Sequence, residues 1–86
     1  MIDERTIAPP KIIVYSTSTC PYCTMAKRYL KEKGLEFEDV DVSQDRSRAA
    51  EMFSKSGQMG IPVLDINGKI LVGFNRTAID SAVRGF

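Results

Sequence analysis

The spacing of apolar and polar side chains changes twice in the first half of the chain. Residues 11–15 form a short, β-branched apolar run, which predicts a strand buried on both faces. After a polar connection over residues 16–19, apolar side chains follow at intervals of three and four, which predicts a helix over residues 21–33 that stops at Gly34. Residues 35–42 then alternate apolar and acidic side chains, a pattern that indicates a half-exposed strand.

A second helix is predicted to follow that strand. Ser43 is placed as its N-cap, because a serine side chain can accept a free N–H group of the first turn. The helix covers residues 44–55 and ends near Gly57, while Asp45 and Arg48 add only a charge bias to its first turn. The apolar side chains of this helix form only a narrow stripe, so we expect it to pack along a single seam.

The last third of the chain predicts a hairpin followed by a helix. Strands over residues 62–66 and 69–72 flank Asn67-Gly68, a pair that favours the tight turn in which both central residues have positive φ. Asn75 can cap a third helix. The apolar positions of that helix are Ile79, Ala82, Val83 and Phe86.

The element order is therefore β-α-β-α-β-β-α, which predicts an α/β fold. The first two strands, joined by a helix, are expected to be parallel with a right-handed crossover, and the last two to be antiparallel. This arrangement gives a four-stranded mixed sheet with helices on both faces. The 86 residues suffice for one domain over residues 11–86, preceded by a flexible leader over residues 1–10.

Composition and charge exclude several classes of protein. The chain is 43% hydrophobic and 27% charged, as globular domains are, and its net charge of +1 gives no indication of nucleic acid or membrane as a partner. No apolar run reaches the roughly 18 residues of a membrane span, and the leader lacks the apolar stretch of a signal peptide. Two cysteines in one motif, without an export signal, fit the reducing cytoplasm. The oligomeric state stays open, with a monomer as the favoured expectation.

Both cysteines lie in Cys20-Pro21-Tyr22-Cys23, at the start of the first predicted helix. Free backbone N–H groups and the helix dipole favour negative charge there, and therefore a thiolate. Pro21 suits a first helical turn, because its missing N–H would have no partner there. Cys23, one turn further on, can reach Cys20 to close a disulfide. The pair predicts a redox switch.

Three other interpretations of the two cysteines stay open. Tetrahedral zinc needs four ligands, and since the chain has no other cysteine and no histidine, a four-thiolate site would have to be shared between two chains. A purely structural disulfide would add little stability by closing so short a loop. Two inert buried thiols are the last alternative, which conflicts with their place at a helix N-terminus.

The chain resembles the glutaredoxins over residues 11–86. The resemblance rests on Tyr15-Ser16, on the Cys-Pro-Tyr-Cys tetrapeptide, on Ile61-Pro62-Val63 and on Gly73 before the last helix. It implies a thioredoxin-like fold in which a cis bond between Ile61 and Pro62 lies against the cysteines. The backbone of Ile61 would then be exposed to pair with an extended substrate, as an added strand does.

The same resemblance implies a thiol–disulfide oxidoreductase with glutathione as co-substrate and no bound cofactor. Cys20 would be the attacking thiolate and Cys23 the resolving thiol, acting on disulfide-containing or glutathionylated proteins. Tyr22 would form a wall of the glutathione site, and Ile61 with Pro62 would bind the cysteinyl backbone of glutathione. The residues bordering its γ-glutamyl end would be Gly73, Phe74 and Asn75.

Several positions depart from the glutaredoxin pattern. Thr17 stands where a lysine or arginine usually holds a glutathione carboxylate, and Gly60 where a threonine is usual. Phe74-Asn75-Arg76 replaces a second glycine and the acidic residues that receive the γ-glutamyl group. Arg76 is either a substitute partner for the carboxylate or an exposed arginine at a helix start.

These departures keep a rival function open. Proteins similar to glutaredoxin donate electrons to ribonucleotide reductase and are themselves reduced by thioredoxin reductase, a possible partner here. An iron–sulfur carrier bridging two chains and a redox-inactive interaction domain are further alternatives. Pro21 stiffens the motif and disfavours a cluster, which normally has four thiolate ligands.

Overall fold

Seven elements follow one another in the predicted order. The computed structural model describes residues 10–84, so residues 1–9 of the predicted leader and Phe86 of the last apolar stripe lie outside the described residues. The elements are β1 (Ile12–Ser16), α1 (Pro21–Glu32), β2 (Glu38–Asp41), α2 (Arg46–Ser56), β3 (Val63–Ile66), β4 (Lys69–Val72) and α3 (Arg76–Arg84).

The strands form one mixed sheet in the order β2-β1-β3-β4. β1 runs parallel to β2, with Tyr15 opposite Val40, and antiparallel to β3, with Tyr15 opposite Val63. β3 and β4 form the expected antiparallel hairpin. The α/β class and the four-stranded mixed sheet are confirmed.

Helices cover both faces of the sheet and create two apolar cores. Successive residues of a strand point to opposite faces, so Val14 and Tyr15 enter different cores. Met52 alone of the α2 residues is buried, which confirms packing along one seam. The core with α1 and α3 contains Ile12, Val14, Ala26, Leu30, Leu64, Ile66, Ile79 and Ala82, and the smaller core under α2 contains Tyr15, Val40, Met52 and Val63.

Three local signals in the sequence correctly place turns and caps. Gly34 follows α1 with a φ of 74°, the left-handed conformation in which helices often end. Asn67 and Gly68 have φ values of 51° and 91°, as the tight hairpin turn requires. Asn75 caps α3, because its Oδ1 accepts the N–H of Ala78 at 3.0 Å.

The bounds of the first two strands differ from the prediction. Residues 35–42 form a strand only over β2, because β1 offers them four pairing partners. Leu35 and Phe37 instead pack against the core with α1 and α3. Ser16, predicted in the polar connection, belongs to β1, because it pairs with Asp41.

The N-cap of α2 is Asp45, so the assignment of Ser43 to that role is wrong. Asp45 Oδ1 accepts the N–H groups of Ser47 at 3.0 Å and Arg48 at 3.2 Å. Ser43 lies in the preceding turn, where its N–H and hydroxyl both donate to Asp41 Oδ1. A carboxylate at the N-terminus also interacts favourably with the helix dipole, which a serine does not.

A polar network anchors α2 to the sheet within the smaller core. The hydroxyl of the buried Tyr15 donates to Glu51 and accepts from Lys55 Nζ at 2.8 Å, and Lys55 also pairs with Asp65 at 2.6 Å. Burial opposes the ammonium charge, but the hydrogen bonds to Asp65 and Tyr15 dominate and hold the pKa of Lys55 above its ordinary 10.5. Because Tyr15 belongs to β1, the network restrains the strand that leads to the cysteines.

Candidate active site

The sheet register brings the predicted site segments to one end of the molecule. Val63 lies opposite both Tyr15 and Val72, so the chain enters β3 at the end where it leaves β1 and β4. The N–H of Gly73 donates to the carbonyl of Pro62 at 2.7 Å and ties two of these segments together. The segments that share this end are Thr17–Cys20, Ile61–Pro62 and Gly73–Asn75.

Cys20 is the N-cap of α1 and is partly exposed. Its backbone is extended, with φ of −95° and ψ of 112°, and its Sγ accepts the N–H of Cys23 at 3.2 Å. Pro21 occupies the first turn, as predicted. The helix therefore begins with a partly exposed sulfur that accepts a backbone N–H.

Cys23 is fully buried one turn into α1. Burial, together with the hydrogen bond to Cys20, raises the pKa of Cys23 from its ordinary 9.0 to about 12, although the backbone of Thr17 and the charge of Lys27 act in the opposite direction. Both cysteines are free thiols in the structure. The reduced pair therefore combines an accessible sulfur with a buried thiol that stays protonated.

Tyr22 and Ile61 present groups that a substrate can contact. The side chain of Tyr22 is 63% exposed, next to Cys23 in the chain. The bond between Ile61 and Pro62 is cis, as the resemblance implied, and Pro62 is buried. The N–H and C=O of Ile61 find no hydrogen-bond partner among residues 10–84. This backbone is therefore free to pair with an extended ligand.

Gln58 is a residue of this region that the sequence did not indicate. Its Oε1 accepts the N–H of Gly60 at 2.5 Å, and its Nε2 donates to the carbonyl of Gly60 at 3.1 Å. A Cβ on Gly60 would lie 2.6 Å from Gln58 Oε1, so a larger residue would displace this side chain. The glycine that departs from the glutaredoxin pattern thus leaves room for a glutamine that holds the segment before Ile61.

Aromatic and cationic side chains cluster where α3 begins. Phe74 lies edge-on to Tyr29 of α1, with ring centroids 6.0 Å apart. The guanidinium of Arg76 lies 5.6 Å from the Tyr29 ring and 6.0 Å from the Phe74 ring. Gly73 has a φ of 86°. The sequence indicated Phe74 and Arg76 but not their contact with Tyr29, since residues 45 positions apart show no common pattern.

A metal site and a membrane-spanning helix are both absent from residues 10–84. Within residues 10–84, no group of three or more histidine, cysteine, aspartate or glutamate side chains is placed to hold a metal ion. In the same part of the chain, no helix has the length and apolar character needed to cross a membrane.

Comparison with known proteins identifies the family. The glutaredoxin family model matches residues 12–71. The chain belongs to the glutaredoxin family. Glutaredoxins are thiol–disulfide oxidoreductases, and the Cys20/Cys23 pair of this glutaredoxin has the geometry of a reduced dithiol site.

One relative and two solved structures illustrate what this glutaredoxin is similar to. An uncharacterized glutaredoxin-like 8.6 kDa protein from the rubredoxin operon of Clostridium pasteurianum is 49% identical over 72 residues, which cover 84% of this chain and 96% of the relative. The structure of the Archaeoglobus fulgidus glutaredoxin matches with a TM-score of 0.82 at 23% identity, covering 99% of this chain and 98% of that one. NrdH-redoxin from Escherichia coli, a glutaredoxin-like protein with a thioredoxin-like activity profile, matches with a TM-score of 0.72 at 27% identity, covering 81% and 91%. These structures confirm the thioredoxin-like fold.

Proposed function

We propose that this chain is a glutathione-dependent oxidoreductase that reduces protein disulfides and glutathione mixed disulfides through Cys20 and Cys23. The asymmetry of the pair carries the proposal: Cys20 Sγ is partly exposed and accepts an N–H at 3.2 Å, whereas Cys23 is fully buried. A disulfide arriving from solution can therefore be attacked by Cys20 and not by Cys23. This chemistry requires a reducing compartment, for which we propose the cytoplasm.

In the first step the Cys20 thiolate attacks one sulfur of a disulfide. A bond forms between Cys20 Sγ and that sulfur, the original S–S bond breaks, and the other sulfur leaves as a thiolate. From a glutathionylated protein, Cys20 takes the glutathione and the protein thiol is released. A second glutathione thiolate then attacks the bound glutathione sulfur, so oxidised glutathione leaves and Cys20 is regenerated without Cys23.

A protein disulfide requires Cys23 as well. Its thiolate attacks Cys20 Sγ in the mixed disulfide, the substrate leaves fully reduced, and the two cysteines are oxidised to a disulfide that two glutathione molecules then reduce. After burial, the hydrogen bond to Cys20 and the charge of Cys20 are causes of the raised pKa of Cys23. A mixed disulfide on Cys20 removes both of these causes, so Cys23 ionises more readily at the step that needs its thiolate.

The proposed glutathione site lies between Tyr22, Ile61–Pro62 and the segment Gly73–Asn75. The cysteinyl backbone of glutathione would pair with the free N–H and C=O of Ile61, as an added strand pairs with a sheet. The exposed ring of Tyr22 would cover one side of the tripeptide.

The second candidate function uses thioredoxin reductase as the electron donor. Two departures from the glutaredoxin pattern favour it. Thr17 supplies no charge for a glutathione carboxylate, a loss of about 1–3 kcal/mol where a charge-assisted hydrogen bond is missing. Phe74 packs on Tyr29 where a second glycine would leave space for the γ-glutamyl group. The similarity to NrdH-redoxin, with its thioredoxin-like activity profile, points in the same direction. This donor would reduce the Cys20–Cys23 disulfide directly.

The deciding experiment offers the same substrates to two reducing systems. One cuvette contains glutathione, glutathione reductase and NADPH, the other thioredoxin reductase and NADPH, and NADPH consumption is measured with a glutathione mixed disulfide and with a protein disulfide. Rapid turnover in the first cuvette supports the proposal. Turnover in the second cuvette alone would show that thioredoxin reductase, and not glutathione, is the reductant. Turnover in neither cuvette would contradict both candidates.

Two cysteine variants test the division of roles. Cys20→Ser should abolish turnover of every substrate, because the attacking sulfur is gone. Cys23→Ser should retain reduction of glutathionylated substrates and lose reduction of protein disulfides, since only the second route uses the resolving thiol. Loss of deglutathionylation in Cys23→Ser would show that Cys23 has a role in both routes, contrary to the mechanism above.

A further inference from the structure

We propose that Arg76 and Arg28 form an acidic-segment site, which selects protein substrates with acidic residues about three or four positions from the disulfide. The inference rests on the proposed role of Cys20 as attacking sulfur. It begins with a cavity of about 190 Å³ beside α1 and the start of α3. Its lining consists of Met25, Arg28, Tyr29, Glu32, Phe74 and Arg76.

Arg76 is held in place by aromatic rings. Its guanidinium lies within cation–π distance of both Tyr29 and Phe74. Tyr29 is itself fixed, because its hydroxyl donates to Asp80 Oδ1 at 2.6 Å, and this hydrogen bond is the main reason that the pKa of Asp80 is lowered. The guanidinium is therefore oriented before any ligand arrives, which reduces the entropy lost on binding.

Among the residues that the structure describes, no carboxylate forms an ion pair with the two arginines of this cavity. Asp80 lies one helical turn beyond Arg76, but its carboxylate pairs with Lys33 at 3.3 Å and accepts from Tyr29 instead. Among residues 10–84, neither Arg76 nor Arg28 forms an ion pair, even though Glu32 lines the same cavity. Two unpaired guanidinium groups beside one small cavity favour a carboxylate as its occupant.

The distance from Cys20 defines which substrate residue would reach the site. Arg28 follows the N-cap of α1 by eight positions, which is roughly 12 Å along the helix axis at 1.5 Å per residue. An extended substrate covers that distance in about three or four residues. The exposed apolar side chain of Met25 lies between the two points and can contact an intervening residue. The expected ligand is therefore a glutamate or aspartate about three or four residues from the substrate cysteine.

The test compares three synthetic peptides that share one intramolecular disulfide. At the third and fourth positions on each side of the disulfide, they carry glutamates, glutamines or lysines. Each is mixed with reduced protein in the absence of any other reductant, and the formation of the Cys20–Cys23 disulfide and of the peptide dithiol is followed by acid quench and mass spectrometry. This single turnover does not depend on which reductase system serves the protein.

The wild-type protein should oxidise fastest with the glutamate peptide and slowest with the lysine peptide, by about threefold to fivefold, since an exposed ion pair contributes up to about 1 kcal/mol and 1.4 kcal/mol is a factor of ten. Arg76→Gln should reduce this preference and Arg76→Glu should abolish or invert it. In 1 M salt, where the Debye length is about 3 Å, the preference should largely disappear.

Lys69→Glu is the matched control, because it changes the net charge as much as Arg76→Glu does. Lys69 is exposed in the hairpin, at the opposite end of the sheet from Val63. Equal rates for the three peptides with the wild type, or an equal shift of preference in both charge-reversal variants, would overturn the acidic-segment site. If the protein shows no turnover with glutathione and glutathione reductase but still prefers the glutamate peptide, only the proposed reductant is overturned.

Discussion

Cys23 should be nearly inert to alkylation in the reduced protein, even when Cys20 is absent. Because the thiolate is the reactive form, a pKa raised from 9.0 to about 12 lowers the reactive fraction about a thousandfold at any pH below 9. Complete burial of the side chain further restricts the reagent. Cys20→Ser removes the causes that involve Cys20, but burial, the largest one, remains. We therefore expect Cys23 in that variant to react at least about a hundredfold more slowly than a cysteine in an unstructured peptide.

The assay exposes wild type, Cys20→Ser and Cys23→Ser to iodoacetamide at pH 8 and follows the modified peptides by mass spectrometry. Wild type and Cys23→Ser should each take up one label rapidly, on Cys20. Denaturation of Cys20→Ser before labelling provides the control, because it should restore ordinary reactivity to Cys23. Rapid labelling of Cys23 in folded Cys20→Ser would refute the argument that burial keeps this thiol protonated.

The remaining predictions concern stability and are measured by thermal and urea unfolding. Asn75→Ala removes the cap of α3 and should cost about 1 kcal/mol, or about 4–8 °C in Tm for a domain of this size. Lys55→Met leaves the buried carboxylate of Asp65 without its cation; since the Lys55 side chain is 30% exposed, we expect about 1–3 kcal/mol rather than the cost of a fully buried pair. The pKa of Lys55 is raised on folding, so its contribution to stability is complete below pH 10.5 and is lost as the pH rises further. An unchanged urea midpoint for either variant would contradict the role given to that residue.

The sequence predicted those features that depend on neighbouring residues. The Asn67-Gly68 turn, the end of α1 at Gly34 and the cap at Asn75 follow from backbone preferences that act within a few positions. The Cys20 motif could be placed at a helix start from the change in apolar spacing, whereas the segments at residues 61–62 and 73–75 were predicted from the resemblance to glutaredoxins.

Features that depend on partners far along the chain were predicted less well. The length of β2 is set by the partners that β1 offers, and the alternation of side chains continues beyond them. Ser43 and Asp45 are both good capping residues, so their types do not distinguish them before the turn is formed. The contacts of Lys55 with Asp65 and of Arg76 with Tyr29 join separate elements, and no periodic pattern relates such pairs.

The complete burial of Cys23 also has a kinetic consequence. Because Cys20 has the accessible sulfur of the pair, the oxidising substrate and the reductant must both react at that sulfur or at the group bonded to it. The two partners therefore compete for the same surface and cannot occupy it together. Each turnover alternates between an encounter that oxidises the protein and one that reduces it, and a large excess of either partner will delay the other.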